Sequence, residues 1–176
     1  DQQDSQRLIS AIIKEVGLDK DVYKYKQIAS RISSYKNNLI TVKAYYENPE
    51  LQEADAMAKH PRLGDIYRNY VDRCFKAGAM DFDDLLLRTN ELLNVFPEVL
   101  AKYQQRFRYI LVDEYQDTNH SQYLIVRALA DRFQNICVVG DDAQSIYAFR
   151  GANIDNIFNF QKDYRNVGVY RLEQKY

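Results

Sequence analysis

Tyr109-Ile110-Leu111-Val112-Asp113-Glu114-Tyr115-Gln116-Asp117-Thr118-Asn119 marks a change in the character of the chain. A short apolar run of β type feeds into two adjacent carboxylates, then a polar turn, then the start of a helix. A buried strand ending in an acidic pair is how nucleotide-hydrolysing folds hold Mg2+ and a water-activating base at the rim of a parallel sheet. Adjacent residues at a strand end point to opposite sides, so Asp113 and Glu114 do not act as one bidentate clamp. One reaches Mg2+, directly or through water, while the other orients a nucleophilic water; phosphoryl transfer needs both roles. Acidic pairs also occur in turns with no catalytic role, but a charged pair at the end of a core strand needs a reason.

Downstream, the pattern alternates. Residues 109–112 read as a strand buried on both faces. A helix is expected over 119–132, a second buried strand over 136–139, a helix over 154–163 and a third strand over 167–172. This order is the signature of an α/β fold with a parallel sheet and right-handed crossovers. Ligand chemistry in such sheets gathers at the carboxyl ends of the strands, where both Asp113-Glu114 and the 140–144 turn emerge. The second strand leads into Val139-Gly140-Asp141-Asp142-Ala143-Gln144-Ser145-Ile146-Tyr147-Ala148-Phe149-Arg150-Gly151-Ala152. Gly140 permits a tight exit from the strand. Gln144 is placed to hydrogen-bond a phosphate oxygen or a water and to change partners when a terminal phosphate leaves. Tyr147 and Phe149 alternate with Arg150, a pairing of stacking faces and cation suited to single-stranded bases. The competing reading, above all at Tyr147, is an aromatic pinning its loop to the core.

Upstream, everything reads as helix and loop. An amphipathic helix is expected over 4–16 (Leu8, Ile12, Ile13, Val16), capped by Asp4 or Ser5 and closed by Gly17. A second spans 25–38, with Ile28, Ile32, Tyr35 and Leu39 on one face. The pattern is weaker over 41–64, where Asn48-Pro49 and His60-Pro61 favour turns. A third helix runs over 65–77 to Gly78, Asp81 caps a fourth, and Pro97 opens a short fifth. The window 20–43 sets Lys20, Lys24, Lys26, Arg31, Lys36 and Lys43 against Asp21 alone, with Tyr23, Tyr25 and Tyr35 interleaved. Such a window suits a nucleic-acid backbone or is simply a solvated helix face. His60 reads as a loop residue and His120 as part of a helix start.

The 176 residues allow one good core, or one domain with a smaller appendage, and a net charge of −1 excludes a globally basic nucleic-acid binder. Cys74 and Cys137 each lie in apolar surroundings and read as two reduced, buried thiols of a cytoplasmic protein. No apolar run approaches membrane-spanning length. The chain holds fifteen Tyr and no Trp, so amphipathic core-edge phenols replace indoles.

VDEYQDTN followed by VGDDAQSIYAFRGA resembles motifs II and III of the superfamily 1 DNA helicases of the UvrD/PcrA/Rep type. Met80-Asp81-Phe82-Asp83-Asp84-Leu85-Leu86 resembles the DFDDL element that precedes motif II there, and Leu172-Glu173-Gln174-Lys175-Tyr176 the start of motif IV, usually LEQNYRS. The resemblance implies a partial RecA-like parallel sheet with helices over 81–176, preceded over 1–80 by the all-helical subdomain inserted in the first motor domain. It implies an ATP- and Mg2+-dependent motor that unwinds DNA by moving along single strands, 3′ to 5′, in repair or replication. Asp113 would then bind the Mg2+ of Mg-ATP and Glu114 would polarise the attacking water. Gln144 would sense the γ-phosphate, Tyr147 and Phe149 would contact single-stranded DNA, and Tyr176 would stack on adenine. Phe149 stands where the family usually has Trp, which reduces the stacking area and loses the indole N–H; Lys175 replaces the usual Asn. Arg150 would tie motif III to the rest of the motor. A helicase–nuclease with a similar motif II, and a non-catalytic DNA-binding or scaffolding module, are the rival readings.

No G-x-x-x-x-G-K-[ST] loop occurs within these residues, and the start and end of the sequence read as those of an excerpt. In RecA-like domains the strand bearing that loop lies between the motif III strand and the next. The segment 167–172 is therefore expected to lack its neighbour, leaving a truncated sheet whose exposed apolar edge shifts or pairs with another chain, a self-association visible by light scattering. With that part of the phosphate site missing, the 176-residue chain alone is expected neither to bind ATP tightly nor to hydrolyse it. Calorimetric titration with Mg-ATP should give no stoichiometric micromolar isotherm, and finding one would refute this.

Overall fold

A computed structural model describes residues 1–141 and 155–172. The chain divides into two compact units, Asp1–Phe96 and Pro97–Tyr176.

The first unit is helical throughout: α1 (Gln2–Glu15), α2 (Tyr25–Asn37), α3 (Val42–Tyr46), α4 (Pro49–Met57), α5 (Leu63–Lys76) and α6 (Phe82–Val95). Its helix ends follow the local sequence. The cap of α1 is Asp1, in a capping box with Asp4, earlier than the Asp4 or Ser5 expected; Asp81 with Asp84 forms another box, and Asn48 caps α4 ahead of Pro49 in its first turn. Gly17 (φ 77°) and Gly78 (φ 62°) take the left-handed conformation after α1 and α5, where the following amide turns back to Ile13 and Cys74 carbonyls. Ile9, Ile12 and Ile13 of α1 meet Ile28, Ile32 and Tyr35 of α2 and Leu63, Ile66, Tyr67 and Tyr70 of α5 in one core. Gly64 has a packing reason, since a Cβ there would lie 2.7 Å from Tyr45 Cε1 and 2.8 Å from the Tyr46 hydroxyl.

The core also carries charge. Asp55, 2% exposed, accepts hydrogen bonds from the hydroxyls of Tyr35 and Tyr45 and from Arg31 Nε. Burial, then the bond to Asp55, pushes both phenols far above their ordinary range, so they stay protonated donors. This cluster explains the weakly patterned stretch 41–64: α3 and α4 are short helices fixed by tertiary partners more than by apolar periodicity.

Lys36 contradicts the solvated-face reading of the basic window. It is 1% exposed, with Nζ 2.8 Å from Asp81 Oδ2 and 2.8 Å from Asp84 Oδ1. Its ammonium lies 4.8 Å from the centroid of the Tyr70 ring, and Tyr70 donates through its hydroxyl to Asp81 Oδ2. The capping box of α6 is thus also the counter-ion of α2, and α6 belongs by its contacts with the first unit. Cys74, expected buried, is only half-buried beside this cluster on α5.

In the second unit α7 (Pro97–Arg106) precedes β1 (Ile110–Val112), a 3-10 turn (Tyr115–Asp117), α8 (His120–Ala130), β2 (Ile136–Val138) and α9 (Asp155–Asp163). His120 begins α8, as the sequence implies, and Asn119 caps it in a box with Gln122. The two strands pair in parallel, Ile110 with Ile136, Leu111 with Cys137 and Val112 with Val138, so the α/β class and the partial parallel sheet stand. Two expectations fail. The strands are not buried on both faces: Ile110, Val112, Ile136 and Val138 pack with Tyr115, Phe160 and Tyr164, whereas Leu111 is 79% exposed and Cys137 lies open. A strand's side chains alternate, and the core described here covers one side of the sheet. Nor do residues 167–172 form a strand. Val167 packs on the core, but Tyr170 and Leu172 are 92% and 93% exposed, with no ladder partner among the described residues.

Lys36 supplies a test on the 176-residue chain. Burial opposes ionisation of Asp81, but the Lys36 ammonium and the hydrogen bonds around it hold its carboxyl below the usual range. A depressed carboxyl contributes stability at neutral pH that is lost as pH falls through the lowered value. Lys36→Met should cost the first unit about 3–5 kcal/mol by urea denaturation at neutral pH, because it leaves two largely shielded carboxylates without their buried cation. The deficit should shrink on acidification, as protonation removes the uncompensated charge.

Candidate functional site

The acidic pair sits where β1 gives out. Val139 N–H donates to the Val112 carbonyl (2.8 Å) and Tyr115 N–H to the Val139 carbonyl (2.9 Å), so the ladder continues past both strands and grips the turn between them. Within that grip Glu114 takes φ 50° and ψ 43°, the left-handed region that a non-glycine residue adopts at some cost. The turn is closed by Asp117 N–H donating to the Glu114 carbonyl (2.9 Å) and Glu114 N–H donating to Asp113 Oδ1 (2.8 Å). Glu114 therefore leaves the strand direction altogether. The two carboxylates differ by backbone conformation as well as by strand alternation.

Asp113 and Glu114 are both exposed. One Asp113 oxygen is engaged by the turn. Among the described residues no group of three or more His, Cys, Asp or Glu side chains is placed to hold a metal. An exposed carboxylate at a strand end nevertheless fits Mg2+, which takes one or two carboxylates and completes its shell with water and substrate phosphates.

Gln116 was not read from the sequence as part of the site. It is 1% exposed, donates from Nε2 to Glu114 Oε2 at 2.5 Å and accepts from the Asp141 N–H at 3.1 Å. The available signal was an amide two residues beyond the glutamate, in a turn whose neighbour Tyr115 is core. Tyr115 packs edge-on against Phe160 at 5.9 Å between centroids, and burial pushes its phenol far above the ordinary range. Tyr123 donates to Asp163 Oδ2 at 2.5 Å, fastening α8 to α9 beneath the turn. Gln144, Tyr147, Phe149, Arg150, Lys175 and Tyr176 lie outside the described residues.

The basic window does not form the interleaved surface that its sequence allowed. Tyr23 and Tyr35 are buried, Arg31 turns to Asp55 and Lys36 is internal; Lys20, Lys24, Lys26 and Lys43 remain exposed, with Tyr25 partly so. His60 is a loop residue, its Nε2 2.8 Å from the Val22 carbonyl.

The family model of the UvrD/REP helicase N-terminal domain matches residues 1–165. The chain is 45% identical over 176 residues to the ATP-dependent DNA helicase PcrA of Bacillus subtilis, all of this chain against 23% of that protein. It is 42% identical over 183 residues to the ATP-dependent DNA helicase UvrD1 of Mycobacterium tuberculosis, and 40% identical over 177 residues to PcrA of Staphylococcus aureus, with the same coverage of each. The chain thus spans under a quarter of the length of these relatives. A match over nearly the whole chain, with the acidic pair at the end of a parallel strand, means that the chain belongs to the UvrD/REP helicase N-terminal domain family.

Proposed function

We propose that the protein to which this chain belongs is a cytoplasmic, ATP-dependent DNA helicase that translocates 3′ to 5′ on single-stranded DNA and opens duplexes at single/double-strand junctions, in repair or replication. The observation that carries the reading is the pair Asp113 and Glu114 at the carboxyl end of β1, in a chain of this family. Its relatives are named as ATP-dependent DNA helicases.

In this reading Asp113 binds the Mg2+ of Mg-ATP, which neutralises charge on the phosphates. Glu114, turned out of the strand by its left-handed backbone, orients and polarises the attacking water. Its exposure leaves the carboxylate accessible to solvent water, and its hydrogen bond from Gln116 limits the directions it explores. Gln144 would report the γ-phosphate to the strand-binding side, Tyr147 and Phe149 would stack on single-stranded bases, and Tyr176 would stack on adenine; the roles of these four residues rest on the motif resemblance. In the same reading residues 1–80 are the inserted helical subdomain and 81–176 part of the RecA-like motor domain. Self-association of the isolated chain remains part of the proposal, now through exposed apolar side chains and not a strand edge: Leu111 on the open sheet face, and Tyr170 and Leu172 beyond it.

The test uses the full-length protein on tailed duplexes. ATP should drive unwinding of a 3′-tailed substrate and not of a 5′-tailed one. Glu114→Gln should lower ATP turnover by about 10²–10⁴-fold, the range of a lost general base, while fluorescent-ATP binding persists. Full turnover in Glu114→Gln would refute the role given to Glu114.

A further inference from the structure

We infer that Gln116 is a positioning residue for ATP hydrolysis, holding the Glu114 carboxylate in working orientation and fastening it to the exit of β2. The inference rests on the reading of Glu114 given above.

Both ends of the Gln116 amide are used. A buried primary amide needs partners for its donor and its acceptor, and here each end meets a group that fits it alone. Nε2 can only donate, and Glu114 Oε2 lies 2.5 Å from it as acceptor; the Asp141 backbone N–H can only donate, at 3.1 Å from Oε1. The amide orientation is therefore fixed by its surroundings. The interaction is also chemically selective. An amide N–H steadies a carboxylate without cancelling its charge, whereas a lysine or arginine in the same place would form an ion pair and draw off the electron density that a water-polarising group needs.

The geometry of the turn explains why such a tether is needed. The Glu114 backbone is held by the bonds of its N–H to Asp113 and of its carbonyl to Asp117 N–H, but its side chain is exposed and rotor-rich. Gln116, 1% exposed and two residues away, is enclosed by the core, so a buried side chain holds an exposed one. Its second bond is to the backbone of Asp141, three residues past β2, and so does not depend on which side chain stands there. A shift of the β2 exit is thereby passed to the Glu114 carboxylate through one side chain.

The test compares Gln116→Met and Gln116→Glu with the wild-type full-length protein, each alone and in the Glu114→Gln background. Met keeps the length and loses both hydrogen bonds; Glu keeps an acceptor for Asp141 N–H and loses the donor to Glu114. Turnover is read per molecule competent to bind a fluorescent ATP analogue, so partial misfolding does not enter. Both single variants should lose about 10–100-fold in kcat, the scale of a displaced reacting group, with KM for ATP unchanged. In single-turnover measurements on Glu114→Gln protein neither should lower the residual rate further, because the effect passes through Glu114. Wild-type kcat per competent molecule, a raised KM with unchanged kcat, or an undiminished loss in the Glu114→Gln background would each overturn the role of Gln116 while leaving that of Glu114 intact. Wild-type turnover in Glu114→Gln itself would overturn both.

Discussion

The parallel ladder between Ile110–Val112 and Ile136–Val138 is the constraint on which the site depends. It is bounded at one end by Ile110 N–H donating to the Asn135 carbonyl and at the other by Tyr115 N–H donating to the Val139 carbonyl. Register is therefore specified beyond the strands themselves. A one-residue slip of β1 against β2 would turn Leu111 toward the Tyr115–Phe160 core and shift Asp113 and Glu114 relative to the β2 exit. The ladder is short, but its side-chain alternation, its flanking backbone bonds and the Gln116 bridge all demand the same pairing.

The first unit solves a different problem, that of placing charges inside a helical core. Among the described residues no buried side-chain nitrogen or oxygen lacks a hydrogen-bond partner. Asp55 is answered by Arg31 and two phenols, Lys36 by two carboxylates and a ring face. Tyrosine suits this role because one side chain fills volume and ends in a hydroxyl. Four of the fifteen tyrosines, Tyr35, Tyr45, Tyr46 and Tyr70, serve this unit's charged side chains in this way.

What the sequence made legible was whatever is local. Helix periods, the Asp81 cap, the glycine stops at Gly17 and Gly78 and the strand–helix–strand order could be read because neighbouring residues determine them. Exposure of a strand face could not, since Leu111 and Val112 look alike until the layers covering them are known. Lys36 was misread for a related reason: a lysine on a helix ordinarily faces water, and its partners Asp81 and Asp84 are remote in the chain. The segment 167–172 has the composition of a strand, but strand formation needs a neighbour. At the candidate site, the position of Asp113 and Glu114 at the end of a strand was legible, whereas Gln116 acquires meaning only when Asp141 is brought beside it.

Asp81 divides its carboxylate between two tasks: Oδ1 accepts from the Asp84 N–H that starts α6, while Oδ2 receives Lys36 and Tyr70. Replacement by asparagine would preserve the cap yet strip the charge, and replacement by glutamate would keep the charge yet move it out of capping range. Neither exchange is neutral while Lys36 stays in place. Over evolutionary time these positions are thus bound to one another: drift at any of them is closed unless the others have already changed, and related chains should carry either the whole set or a different solution to the same junction.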